Sequence, residues 1–443
     1  MELRDFIVTP IIIFLVYAMA YVVRPWVTDE VNRRYFFPAL TVKIIGALAV
    51  GFIYQFYYGS GDTFMYHTDG SRHIWNAFMD SPEVGFKLLF ADWSNQVGVY
   101  KYSSQIYFFR DPQSYAIIRL AAIFDLITFS SYSSTAILFA LFSFVGMWLF
   151  FLTFYEQCPT NHRGLAIASF FIPSVFFWGS GLLKDTITLG CLGAATFFTY
   201  RIFIRRQFNL LFILLLLIAL HGLYVIKIYI LLTFLPATIL WLFIFYYNQI
   251  RSLFLKIILF PIVISSSVLL GYFAMEKAGE DNPKYSLSMI SKTAQVTAYD
   301  IRYWSGREAG SGYALGELDG TWQSMVKLAP SAISVSLFRP FLWEVKNPLM
   351  LLSAIESFIL TVFTIYVIVR LRSRLLKTIL HPAIFYCLVF SITFAFAVGV
   401  STFNFGTLSR YKIPLVPFYS IALVLMLDHL NRERKTGEFE TTE

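Results

Sequence analysis

Two carboxylates and a histidine stand within one short stretch, Gly59-Ser60-Gly61-Asp62-Thr63-Phe64-Met65-Tyr66-His67-Thr68-Asp69-Gly70. It follows directly on the apolar run from Phe36 to Tyr57, which has the length of about 20 residues that a membrane-spanning helix needs. Asp62 therefore stands where a membrane helix meets water, the position of a general base whose proton affinity its surroundings can match to the task. His67 and Asp69 would assist it, orient it, contact substrate or hold a metal. The same residues also suit a plain turn, because Asp and Gly are common turn formers.

A second constellation is Gly179-Ser180-Gly181-Leu182-Leu183-Lys184-Asp185-Thr186, between two apolar runs. Charges in such a place are costly unless paired or solvated. Asp185 would serve as a catalytic acid or acceptor ligand, or only cap the helix that follows. Lys184 would hold a phosphate or snorkel to the interface. Lys227, Arg339 in Leu337-Phe338-Arg339-Pro340-Phe341-Leu342-Trp343-Glu344, and Arg410 in Ser409-Arg410-Tyr411-Lys412 also fall on the outer side. They run against the positive-inside bias. A guanidinium gripping a phosphate in bidentate fashion would account for them, and so would a salt bridge such as Arg339 to Glu344. Trp343, beside Glu344, is placed to stack on a sugar, although interfacial belts are the commoner use of such rings. Together Lys184, Lys227, Arg339, Arg410 and Tyr411 would form a phosphate pocket facing Asp62.

The elements that must position these residues are membrane helices. Of 443 residues, 57% are hydrophobic and 14% charged, against about 25% charged in a soluble domain. The net charge of +8 sits in short loops and sets orientation, with nothing pointing to nucleic acid. Cys158, Cys191 and Cys387 lack CxxC spacing, so neither a disulfide framework nor a thiolate metal site is indicated. Walker, HExxH, GxSxG and strand-linked GxGxxG motifs are absent. Phe6 to Val23 is followed by Arg24-Pro25-Trp26 and no small-residue cleavage site, so it reads as a retained helix.

Apolar runs place spans at 6–23, 36–57, 134–155, 164–178, 186–204, 209–225, 228–247, 254–274, 348–370, 381–401 and 412–429. Basic residues at 201–206, 370–377 and 432–435 mark cytoplasmic segments. That assignment leaves 58–133 and 275–347 outside, with 114–130, which carries Arg119 and Asp125, lying on the outer face instead of crossing. The predicted fold is all-α: one membrane domain over 1–443, about eleven spans, N-terminus out and C-terminus in. The first outer loop, 58–133, carries interfacial helices at 71–80 and 114–130, and 275–347 forms the second outer loop.

An acidic residue just past an early helix, followed by interfacial helices, resembles the GT-C membrane glycosyltransferases. So do Pro173-Ser174, the turn Trp178-Gly179-Ser180-Gly181-Leu182-Leu183-Lys184-Asp185, and Ser409-Arg410-Tyr411-Lys412-Ile413-Pro414 before a late helix. The resemblance covers most of the chain as topology and rests on short motifs. It implies inverting transfer of a sugar from a polyprenyl-phosphate donor to a glycan, lipid or protein acceptor. Asp62 would be the base, and basic residues would hold the departing lipid phosphate. It also implies a site on the outer, periplasmic face of a bacterial cytoplasmic membrane, in cell-envelope polysaccharide synthesis. No cofactor is required by this chemistry; a divalent metal held by Asp62 and a phosphate is compatible with it. The chain departs from the pattern in its additional N-terminal span, its Lys184-Asp185 pair and its modest second outer loop.

Two other classes fit parts of the pattern. A polysaccharide polymerase or O-antigen ligase would use outer-loop arginines such as Arg302, Arg307 and Arg339. A transporter of lipid-linked glycans would place charges near mid-bilayer and show inverted repeats, whereas here the charges gather at the boundary and no repeat is visible.

Overall fold

The computed structural model describes residues 2–252, 289–306 and 311–440, with scattered positions between 254 and 276. Much of the expected span 254–274, residues 277–288 of the loop at 275–347, and Arg307 lie outside the described residues, as do the side chains of Arg302 and Trp304.

Among the described residues the chain is helical throughout, with isolated bridges in place of strands. The helices are α1 (Leu3–Val27), α2 (Arg33–Phe56), α3 (Asp62–Tyr66), α4 (Arg72–Asp80), α5 (Pro82–Phe90), α6 (Pro112–Thr128), α7 (Tyr132–Tyr155), α8 (His162–Phe170) and α9 (Pro173–Trp178). They continue with α10 (Lys184–Thr199), α11 (Leu210–Tyr247), α12 (Ile290–Gly306), α13 (Trp322–Lys327), α14 (Ala329–Phe338), α15 (Pro348–Leu371), α16 (Pro382–Ser401), α17 (Phe405–Tyr411) and α18 (Leu415–Glu440). Seven described helices are long and apolar enough to cross a membrane, and α17 with the first part of α18 makes an eighth if that pair, bent by 64°, counts as one span. The protein is an all-helical, polytopic membrane protein.

Several expected spans take a different form. Residues 164–178 divide into α8 and α9, because Pro173 opens a new helix at its first position and cannot donate to the preceding turn. The runs at 209–225 and 228–247 join as α11, with Lys227 at φ −146° and ψ 79° interrupting the helix. Residues 114–130 form the 17-residue α6, which starts at Asp111 and Pro112 and stops at Phe129 and Ser130, both at φ 53°. Helix starts follow the chain's polar residues: Asn347 accepts from Met350 N at 2.9 Å, and Asn404 from Gly406 N at 2.8 Å, each satisfying an otherwise unpaired donor.

The chain divides into two compact units, each described by itself. The first comprises Met1–Thr153, Ser169–Thr199 and Phe208–Lys227; the second Phe154–Ala168, Tyr200–Gln207 and Ile228–Glu443. In the first unit α7 and α10 pack so closely that a Cβ on Gly146 would lie 2.0 Å from the Gly190 carbonyl, the kind of approach that small residues permit between membrane helices. In the second, α16 packs against α14 and α18.

Candidate active site

Asp62 opens α3 immediately after Gly61, whose φ of 142° no side-chain-bearing residue adopts comfortably. The tight turn brings the chain from the end of α2 straight into α3, and Asp62 ends half-buried. Its carboxylate acts electrostatically on the Lys184 ammonium, as do Asp111, the strongest partner, and Lys227.

Lys184 and Asp185 begin α10. The Lys184 Nζ stands 3.2 Å from Asp111 Oδ2, with the Asp111 side chain 44% exposed. Asp185 turns inward, where it is 1% exposed and paired with Lys227. The non-helical backbone at Lys227 is where α11 breaks. Asp62, Asp111, Lys184, Asp185 and Lys227 thus form one charge cluster in the first unit, three carboxylates around two ammonium groups, built from segments far apart in sequence.

Two of its supports escaped the sequence analysis. Asp111 caps α6 by accepting from Ser114 N at 3.2 Å and from the Ser114 hydroxyl. Burial pushes the Asp111 carboxyl up, but the Ser114 hydroxyl and the Lys184 charge outweigh it and leave the group below the usual carboxylate range. The Asp-Pro pair at 111–112 was the available signal of a helix start, and it lies just ahead of the predicted segment 114–130. Lys43, mid-way along α2, donates to Gly179 O at 2.7 Å and Ser143 Oγ at 3.0 Å. It ties α2 to the turn that presents Lys184. A lone lysine inside an apolar run was its signal.

His67 and Asp69 part company. Residues His67–Ser71 form a π-turn, a distortion that recurs at functional sites. His67 is wholly buried, with Nε2 3.4 Å from Asp125 Oδ1, so it faces the interior and not solvent. Asp125 also accepts from Ser71 Oγ at 2.6 Å and Thr135 Oγ1 at 2.7 Å. These hydrogen bonds satisfy the buried carboxyl oxygens. Asp69 points the other way and is exposed.

The remaining expected residues belong to the second unit. Arg339 donates from Nε to Glu344 Oε2 at 3.0 Å and from its second terminal nitrogen to Oε1. Its guanidinium lies 5.3 Å from the centre of the Phe405 ring and 5.7 Å from that of Tyr313. Glu344 also accepts from Phe341 N at 2.8 Å. Burial raises its carboxyl, but the bonds from Arg339 and Phe341 bring it below the ordinary range. Trp343 is 81% exposed and stacks on Phe341 at 4.7 Å. Arg410 and Tyr411 end α17, both half-buried. Behind them the buried Lys412 ammonium donates to Ser357 Oγ at 3.1 Å.

Among the described residues no three His, Cys, Asp or Glu side chains are grouped to hold a metal ion. Comparison with protein-family models, with curated proteins and with solved structures gave no match.

Proposed function

We propose that the protein is an inverting membrane glycosyltransferase of GT-C-like architecture. In this reading it has about eleven spans and transfers a sugar from a polyprenyl-phosphate donor at the outer face of a bacterial cytoplasmic membrane. The observation that carries the reading is the electrostatic neighbourhood shared by Asp62, Lys184 and Lys227. It pairs a half-buried carboxylate with cations at helix ends, where a lipid-borne phosphate would arrive.

In the reaction, Asp62 takes the proton of the acceptor hydroxyl as that oxygen attacks the anomeric carbon. The bond from that carbon to the phosphate oxygen breaks on the opposite face, and its electron pair leaves with the lipid phosphate. Lys184 and Lys227 meet the charge that develops there, and their fixed positions avoid a reorganisation cost at the moment of transfer. Asp111 and Asp185 hold the two ammonium groups in place beforehand. Lys184 is the freer of the two, because its partner is half open to solvent. In the second unit Arg339 is committed to Glu344, so the donor role falls to the first unit's lysines, Lys184 foremost.

The test is transfer from radiolabelled polyprenyl-phosphate sugars by the purified protein in nanodiscs. Asp62→Asn is expected to lower the rate by about 10²–10⁴-fold, the span of a general base. Full transfer by Asp62→Asn, together with its loss in Arg339→Ala, would point instead to polysaccharide polymerase or ligase chemistry.

A further inference from the structure

The segment that presents Asp62 also walls a cleft in the first unit. The cleft has a volume of about 320 Å³, and its lining includes Gln55 near the end of α2, Phe64, Thr68, Asp69 and Arg72. Glu2 and Asp5 line it too. This volume is at the lower end of small-ligand pockets, room for a short saccharide.

The cation in its lining is already paired, so the cleft offers no open group to grip a phosphate. Glu2, Asp5 and Asp69 line it with one cation, Arg72, which is already spent on Glu2 at 2.5 Å and on Ser130 Oγ at 3.4 Å; Arg4, outside the lining, also pairs with Glu2 at 2.9 Å. Asp5 is buried and fixed: Ser131 Oγ donates to it at 2.8 Å, Ser133 N at 3.2 Å and Glu2 N at 2.8 Å. Those groups are framework. Asp69, which is exposed, and the half-buried Gln55 and Thr68 line the cleft as well. Phe64, packed on Tyr132 with ring centres 4.6 Å apart, gives the cleft an apolar face. Carboxylate and amide groups beside an aromatic ring match a ligand rich in hydroxyls and without charge.

We infer that this cleft binds a neutral saccharide, and that this saccharide is the acceptor. The word acceptor rests on the transferase reading. The glycan then binds in a cleft walled by the segment that carries Asp62, and the lipid phosphate is met by the lysines. The choice among glycan, lipid and protein acceptors falls on the glycan.

The experiment is binding of the full chain in nanodiscs, without donor, to an array of neutral, anionic and cationic oligosaccharides. Neutral hexose or N-acetylhexosamine oligomers are expected to bind. Asp69→Ala should weaken binding at least about tenfold, as loss of a charged hydrogen-bond partner does, with Asp69→Asn and Gln55→Ala weaker by a smaller factor. Lys87→Gln, at an exposed surface pair, should leave binding unchanged. Asp69 is exposed, so its variants are expected to fold; size-exclusion profiles check this. Three results would overturn the inference: no neutral glycan binds, only charged ones bind, or binding survives both Asp69→Ala and Gln55→Ala. Transfer to a lipid or protein acceptor without glycan binding would sink the cleft alone. Glycan binding without transfer from any polyprenyl-phosphate sugar would sink the transferase reading alone.

Discussion

In the first unit Lys184 meets Asp111 across 73 residues of sequence and Lys227 meets Asp185 across 42, whereas in the second Arg339 finds Glu344 five residues on. The local pair needs little more than the turn around residues 340–344 and the Phe341 amide that steadies Glu344. The long-range pairs exist only because four helix ends, those of α3, α6, α10 and the break in α11, are brought together. Their openness differs as well. Arg339 has both arms of its fork on one carboxylate and aromatic rings around it, a committed guanidinium. Lys184 has one 3.2 Å contact to a half-exposed partner, which an arriving phosphate can displace. On the proposed function, the contrast favours Lys184 over Arg339 as the group that meets an anion.

The strongest way to break this contrast is Lys227→Met, which leaves Asp185 buried without its ammonium. It should destabilise the protein by about 3–5 kcal/mol, read as a lowered thermal midpoint in nanodiscs. The double variant Lys227→Met/Asp185→Leu should recover most of the loss, because an apolar pair replaces a buried ion pair at little cost. Failure of the double to recover would mean that the two residues act separately.

Arg339→Ala should cost less, about 1–2 kcal/mol for a charged hydrogen-bonded partner in a partly buried site. Arg339→Lys should not restore it, since an ammonium cannot fork onto Glu344. Transfer activity should persist in both. Loss of transfer at unchanged thermal stability would move the phosphate site to the second unit.

The smallest effect on stability belongs to Asp111→Asn, below about 1 kcal/mol for an exposed pair, yet it sharpens the contrast most. On the proposed function Asp111 would compete with phosphate for Lys184, so the variant should bind polyprenyl phosphate more tightly than wild type. Its pH dependence has a definite sign. The folded-state pKa of Asp111 is lowered, so the stabilisation is fully present above the unfolded carboxylate value near ~4 and is lost as pH falls through the lower folded value. The stability difference between Asp111→Asn and wild type should hold at pH 5–7 and shrink below ~4.

The long apolar helices were legible from run length alone, as was the break near Lys227, because membrane helices carry their signal locally. Asp62 and Lys184 stood out because charges beside apolar runs are rare. Their partners did not. Asp111 reads as a helix cap, and nothing in its neighbourhood points 73 residues ahead to Lys184. His67 was grouped with the substrate-facing residues because it immediately precedes Thr68 and Asp69, which line the cleft; the π-turn turns it inward onto Asp125, and no short motif announces a π-turn. Splitting 164–178 into α8 and α9 was foreshadowed by Pro173, whose effect a hydropathy average conceals.

The central claim, that the lysine at the start of α10 receives the donor's phosphate, is tested most directly by the dissociation constant of polyprenyl phosphate measured in nanodiscs for wild type, Lys184→Gln and Arg339→Gln. The account predicts binding at least about tenfold weaker for Lys184→Gln, the equivalent of ~1.4 kcal/mol, and a constant within about twofold of wild type for Arg339→Gln, since that guanidinium is committed to Glu344. Unchanged affinity in Lys184→Gln, with the loss appearing in Arg339→Gln, would contradict it.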